Sequence, residues 1–240
     1  MKILAVESSS KTASAALLED GELIGESFVK TDTHSAVLLP MIEDLLKAAK
    51  TDFSGIGLYA ASVGPGSFTG VRIGVSTVKG LAFAGNTPAA GVSTLEGMAY
   101  QFAGVDSIAV PVIDARRGTV FTAFFRASSD GTVERLTPDA QLSAEELMKL
   151  LDAYPGERIA FTGDAADAML ARADCPGNAR PAPALLRNPS AAGIGRRAWE
   201  KWIEAEGNRD LFDSAALVPV YLKKSQAERE REERLAGKRE

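Results

Sequence analysis

The chain has 240 residues, 45% apolar and 25% charged, with a formal net charge of −5. This composition excludes a disordered or fibrous chain, and the acidic balance excludes a protein that holds nucleic acid alone through a basic surface. A single cysteine, Cys175, excludes an internal disulfide. No apolar run approaches the ~20 residues of a membrane span or forms a signal-peptide core, so the expected location is the cytoplasm.

Residues 3–6 form a buried strand by pattern, and residues 12–18 and 22–29 flank Asp20-Gly21, a two-residue hairpin signal. Over residues 35–50 the apolar positions Val37, Leu38, Met41, Ile42, Leu45 and Leu46 recur at helical spacing, with Pro40 either kinking the helix or lying near its first turn. A strand over 56–63, a helix over 70–84 and a short helix over 93–102 follow. The order is β-β-β-α-β-α.

The same order recurs in the second half. Strands are predicted over 108–113, 119–125 and 133–142, with Asp130-Gly131 as the matching turn. A helix then begins at Ser143 with Glu146 in the capping-box position, and a strand over 158–162 and a helix over 165–172 complete the set. A further helix over 191–206 carries Trp199 and Trp202, which suit a core more than a ligand platform. Two such halves face to face predict an α/β chain of two-lobed actin-like (ASKHA, ribonuclease H-like duplicated) fold. The lobes are 1–105 and 106–222, divided near 103–107, and a charged tail spans 223–240.

Between the strand at 56–63 and the helix at 70–84 lies Gly64-Pro65-Gly66-Ser67-Phe68-Thr69-Gly70. Two readings stand. The helix start can take an anion, or the glycines can let one backbone pass close to another. The spacing fits neither the dinucleotide fingerprint nor a P-loop, and Pro65 occupies the first glycine position of a nucleophile elbow.

The remaining cleft chemistry is sparse. His34 is the only histidine, which leaves a His-relay hydrolase without a base and a zinc hydrolase without a ligand set. Glu7-Ser8-Ser9-Ser10 lacks the glycine that phosphate needs for close approach. Asp114-Ala115-Arg116-Arg117-Gly118 puts two long side chains where bare backbone belongs, and these arginines suit an anion or a structural ion pair equally. Thr162-Gly163-Asp164-Ala165 keeps a trace of an adenine-binding glycine pair.

Gly70, Gly74, Thr77, Gly80 and Ala84 instead form one smooth helical face. Together with the apolar residues Leu38, Leu39 and Met41, taken as surplus to the core stripe, that face predicts an interface for a second chain. Packing of both helices inside their own lobe is the competing reading.

Several separated motifs carry a family resemblance: Val6-Glu7-Ser8-Ser9-Ser10, His34-Ser35, the stretch from Gly64 to Gly74, Ile113-Asp114-Ala115-Arg116-Arg117-Gly118 and Val218-Pro219-Val220-Tyr221. In these the chain resembles the bacterial TsaB (YeaZ) family of tRNA threonylcarbamoyladenosine biosynthesis. Glu7 stands where many relatives have Asp, and the tail after Leu222 is longer than the pattern requires.

The resemblance implies a noncatalytic scaffold with a degraded nucleotide cleft and no cofactor of its own. A nucleotide at the partner boundary stays open. It implies pairing with the catalytic subunit TsaD, joined by the ATPase subunit TsaE, with tRNA reached only through the complex, no membrane, and a homodimer when the partner is absent. Partner contacts are expected at His34, Val37, Leu38, Met41, Leu45, Arg72, Gly74 and Thr77. The rival readings are an autonomous ATPase or small-molecule kinase and, more weakly, a peptidase.

Overall fold

The computed structural model describes residues 1–222, so the predicted tail at 223–240 lies outside the described residues. Two sheets repeat one plan. The first has the order β3-β2-β1-β4-β5, built from β1 (Lys2–Glu7), β2 (Thr12–Glu19), β3 (Glu22–Lys30), β4 (Ile56–Ser62) and β5 (Ala89–Val92). Its outer three strands pair antiparallel, while β4 runs parallel to β1 and β5 to β4.

The second sheet runs β10-β7-β6-β11-β12, from β6 (Ser107–Asp114), β7 (Thr119–Thr122), β10 (Ala140–Ser143), β11 (Ile159–Thr162) and β12 (Ala179–Pro181), with the same strand senses. The duplication expected from element order is therefore present in the pairing itself. Two short strands, β8 (Phe125–Ala127) and β9 (Val133–Arg135), extend this sheet beside the first half of β6.

The strand expected over 133–142 is thus two strands. The interruption lies opposite Phe124, whose N–H bonds the Thr137 hydroxyl at 2.8 Å and whose carbonyl accepts from Leu136 at 2.8 Å. Pro138 follows, with no donor to continue a ladder. The strand β5 was absent from the sequence reading, because Ala89-Ala90-Gly91-Val92 carries almost no strand preference.

One face of the first sheet is covered by α1 (His34–Ala48) and α2 (Phe68–Gly85), which bury Leu38, Ile42, Leu45, Leu46, Val71, Val75 and Val78 against Leu4, Val6, Leu17 and Tyr59. Pro40 sits inside α1 with its ring exposed. On the second sheet α4 (Ala144–Leu151) and α5 (Ala166–Leu170) play the same part. The capping box at Ser143 and Glu146 forms as its spacing predicts.

The two remaining helices are exchanged between the lobes. Helix α3 (Thr94–Tyr100) comes from the first half, yet Leu95, Met98 and Ala99 pack with Ala109, Ile113 and Phe125 of the second sheet. Helix α6 (Ala191–Glu204) comes from the second half and covers the open face of the first sheet, with Ala191, Ile194 and Ala198 on Ile3, Ala5 and Leu58. A side chain at Gly193 would lie 2.0 Å from the Gly97 carbonyl, so glycine lets the two helices cross in contact.

Charges seal that crossing. Glu96 of α3 accepts from Arg197 of α6 at 3.0 Å and faces Arg135 of β9 at 3.5 Å, with only 13% of the Glu96 and 15% of the Arg197 side chain exposed. Through α3 and α6 the two halves of the chain are thus packed into one another. The C-terminal segment also returns, placing Leu217 in the first core and bonding the Val220 N–H to the Val63 carbonyl at 2.7 Å.

Candidate functional site

The glycine turn leads directly from β4 into α2, and its partner is the chain itself. Ser67 caps α2 by accepting the Gly70 N–H at 3.2 Å, while its own N–H donates to the Ser9 carbonyl at 2.7 Å. The Ser8 hydroxyl donates to the Gly70 carbonyl at 2.9 Å. A Cβ at Gly66 would lie 2.5 Å from the Ser9 carbonyl oxygen and one at Gly70 would lie 2.0 Å from that of Ser8. Of the two readings of these glycines, the structure favours close backbone approach: the turn is pressed onto the β1–β2 loop.

Beneath that loop Glu7 is fully buried, its Oε1 accepting the Ser9 N–H at 2.5 Å. The hydroxyls of Ser9 and Ser62 stand beside the same carboxyl. Burial pushes the Glu7 carboxyl above its ordinary value of 4.5, and the hydrogen bonds around it only oppose that shift. Because the folded pKa is the higher one, the native state is favoured with Glu7 protonated, and this stability is lost as pH rises from about 4.5 through the folded value. Glu7→Gln should therefore melt above wild type at pH 7, with the gap closing toward pH 4. Thermal melts across that range check it, and a pH-independent gap would contradict it.

His34 turns inward at the start of α1. Its Nε2–H reaches the carbonyls of Ser10 at 2.9 Å and Thr12 at 3.2 Å, which fixes that nitrogen as the protonated one. The histidine thus anchors α1 to the β1–β2 loop. Among the described residues no group of three His, Cys, Asp or Glu side chains could hold a metal ion.

Between the lobes lies a cleft of about 750 Å³, lined on one side by Ser9, Ser10, Lys11 and Ser67 and on the other by Asp114, Arg116 and Asp164. Asp164 accepts the Asp114 N–H at 2.9 Å, tying the two second-lobe turns together. The hairpin tip after β6 has an unusual backbone: Arg116, Arg117 and Gly118 have φ of 68°, 56° and 74°. For a non-glycine residue that region costs roughly 1–2 kcal/mol.

The eight residues expected at a partner surface separate into distinct environments. Leu38, Leu45 and Gly74 correct the sequence reading. Leu38 is 1% exposed because it points to the sheet, Leu45 packs beside it, and Gly74 closes on the Ser8 hydroxyl. None of the three offers surface. Val37, Met41 and Thr77 are half-buried, the first two packed at the margin of the first core. Arg72 is exposed and donates to the Tyr221 hydroxyl at 2.7 Å, and Tyr221 stacks on Phe68 at 4.6 Å.

The smooth face of α2 divides as well. Its beginning, Gly70 and Gly74, is buried, while Gly80 and Ala84 are open. Leu39, at 42% exposed, is the surplus apolar residue of α1, in place of Leu38. Sequence reasoning missed Phe83, 84% exposed near the end of α2, and the only signal was its position off the core stripe.

A model of the family TsaD, tRNA N6-adenosine threonylcarbamoyltransferase, matches residues 29–229. The tRNA threonylcarbamoyladenosine biosynthesis protein TsaB of Escherichia coli (strain K12) is 34% identical over 65% of this chain and 69% of its own length. TsaB of Bacillus subtilis (strain 168) is 33% identical over 63% of this chain and 66% of its own length. The matched stretch thus spans about two thirds of these relatives. The solved structure of YeaZ from Pseudomonas aeruginosa is 29% identical, with a TM-score of 0.76 over 92% of this chain and 99% of that one. More distant structures, at 9% and 11% identity, share the two-lobed actin-like fold with TM-scores of 0.54 and 0.52. No described helix is long and apolar enough to cross a membrane. With its duplicated sheets, its glycine turn closed onto the β1–β2 loop and these matches, the chain belongs to the TsaB (YeaZ) family.

Proposed function

We propose that the chain is a noncatalytic scaffold and activator in threonylcarbamoyladenosine formation. It pairs with a TsaD-type catalytic subunit, joined by a TsaE-type ATPase, to transfer threonylcarbamoyl from threonylcarbamoyl-adenylate to the tRNA adenosine beside the anticodon. The observation that carries this reading is the closed glycine turn. In an actin-like fold a phosphate needs bare backbone at the β1–β2 loop, and here that loop carries no glycine and is backed by the glycine turn, which packs on the Ser8 and Ser9 carbonyls.

The partner's place is the α1–α2 side of the first lobe, where Leu39 is exposed and Val37, Met41, Ile73 and Thr77 are half-buried. Burying that side against a homologous lobe removes apolar surface from water on both chains. The same surface pairs two copies of this chain when the partner is absent. Substitution at the buried Leu38 or Gly74 would disrupt the fold itself.

Met41→Asp with Thr77→Arg tests the surface instead. Partner affinity should fall about thirty-fold, ~2 kcal/mol, with the circular dichroism spectrum preserved. Unchanged affinity in that folded variant would defeat the proposed docking face.

A further inference from the structure

We infer that the Arg116–Arg117 turn is a phosphate-contacting element that engages the sugar–phosphate backbone of the tRNA held by the complex, an inference that rests on the subunit role proposed above. The turn joins β6 to β7 and holds three successive residues in the left-handed region, two of them arginines. Asparagine and glycine enter that region readily, so the turn alone does not require arginine.

Nor do contacts among the described residues account for the two side chains. Among the described residues the Arg116 guanidinium meets only Asp114, at 3.6 Å, and its side chain is 81% exposed. The Arg117 side chain is exposed, and no hydrogen bond or ion pair joins it to the described residues.

The backbone beneath them is fixed. Asp114 accepts the Arg116 N–H at 2.8 Å, and the Thr119 hydroxyl donates to the Arg116 carbonyl at 2.9 Å. A pinned turn thus presents two adjacent guanidiniums, whose forked donors match phosphate oxygens. Their place at a hairpin tip suits an extended polyanion more than a small molecule enclosed by the cleft. Arg116 lines the cleft beside Asp114 and Asp164, with Lys11 across it, while Arg117 is outside that lining, so the pair straddles the cleft edge, where a strand of RNA can approach. With a net charge of −5, the chain needs such a local contact if RNA is to rest on this lobe at all.

The test uses the full chain reconstituted with its TsaD-type partner and an unmodified tRNA that reads codons beginning with A. Arg116→Glu/Arg117→Glu should weaken tRNA binding at least about tenfold. It should also reduce the slope of log affinity against log salt by about 2, with partner binding unchanged. Arg116→Asn/Arg117→Gly should weaken tRNA binding while raising the melting temperature, because the turn is relaxed. Unchanged tRNA affinity and salt slope would overturn the inference. Loss of partner binding would also overturn it, by making the turn a protein contact, as would a lower melting temperature for the Asn/Gly variant. A wild-type chain that binds no partner defeats the subunit role and this inference together, whereas intact partner binding with unaltered tRNA affinity defeats this inference alone.

Discussion

Gly70→Ala is expected to lower stability by about 3 kcal/mol, the upper end for overpacking, and the melting temperature by roughly 6–12 °C for a chain of this size. The added methyl would lie 2.0 Å from the Ser8 carbonyl oxygen, an atom of buried backbone that cannot rotate away. Either α2 lifts from the sheet or the β1–β2 loop moves, and each movement breaks the Ser8–Gly70 and Ser9–Ser67 hydrogen bonds. Gly80→Ala, ten residues along the same helix, is the control. Nothing lies within 4 Å of its added methyl, so it should gain about 0.5–1 kcal/mol from helix propensity. Urea unfolding of the two variants measures both effects. A Gly70→Ala chain within 1 kcal/mol of wild type would mean that the turn is not pressed onto the loop.

Arg197→Met should cost about 3 kcal/mol. The arginine is largely buried where α6 crosses α3 and meets Glu96 at 3.0 Å and Glu204 at 2.6 Å. Its loss leaves the largely buried Glu96 carboxylate with Arg135, at 3.5 Å, as its remaining ion-pair partner among the described residues. The lobes are joined through this cluster, since α6 lies on the first sheet and β9 belongs to the second. Adding Glu96→Gln to Arg197→Met removes the stranded charge, so the double variant should lose less than the sum of the two single variants. Denaturant titrations of all four proteins give the coupling directly, and strict additivity would show that the pair does not hold the crossing.

Much of this architecture was legible in the chain. The Asp20-Gly21 hairpin, the apolar runs of β1 and β4 and the capping box at Ser143 each have a local cause, so local patterns disclosed them. The duplicated element order then predicted two matching sheets. The exchange of α3 and α6 was not legible, because which sheet a helix covers is decided by tertiary packing, and neither helix differs in pattern from one that stays at home. Nor did local pattern supply β5, whose four residues are alanine, glycine and valine.

The candidate site was read less completely. Helix α1 carries more apolar residues than one stripe needs, and spacing alone did not say which would face the sheet. Of Leu38, Leu39 and Met41, all taken as surplus to that stripe, Leu39 is exposed and Leu38 is buried. Gly74 looked like part of a smooth docking stripe, but its use is to admit the Ser8 side chain. The conformation at Arg116 and Arg117 left no trace in the sequence, since a left-handed turn is ordinarily signalled by asparagine or glycine. The single histidine, named among the partner contacts, is held at the helix start by two backbone carbonyls.

The central claim is that this chain acts by docking and leaves the chemistry to a partner. Its most direct test follows threonylcarbamoyladenosine formation in tRNA, supplied with threonylcarbamoyl-adenylate, in three reactions: this chain alone, the TsaD-type and TsaE-type subunits alone, and all three together. The account predicts no product from the chain by itself and product from the other subunits only, or far faster, when the chain is added. Product made by the isolated chain, or a partner rate indifferent to its presence, would contradict it.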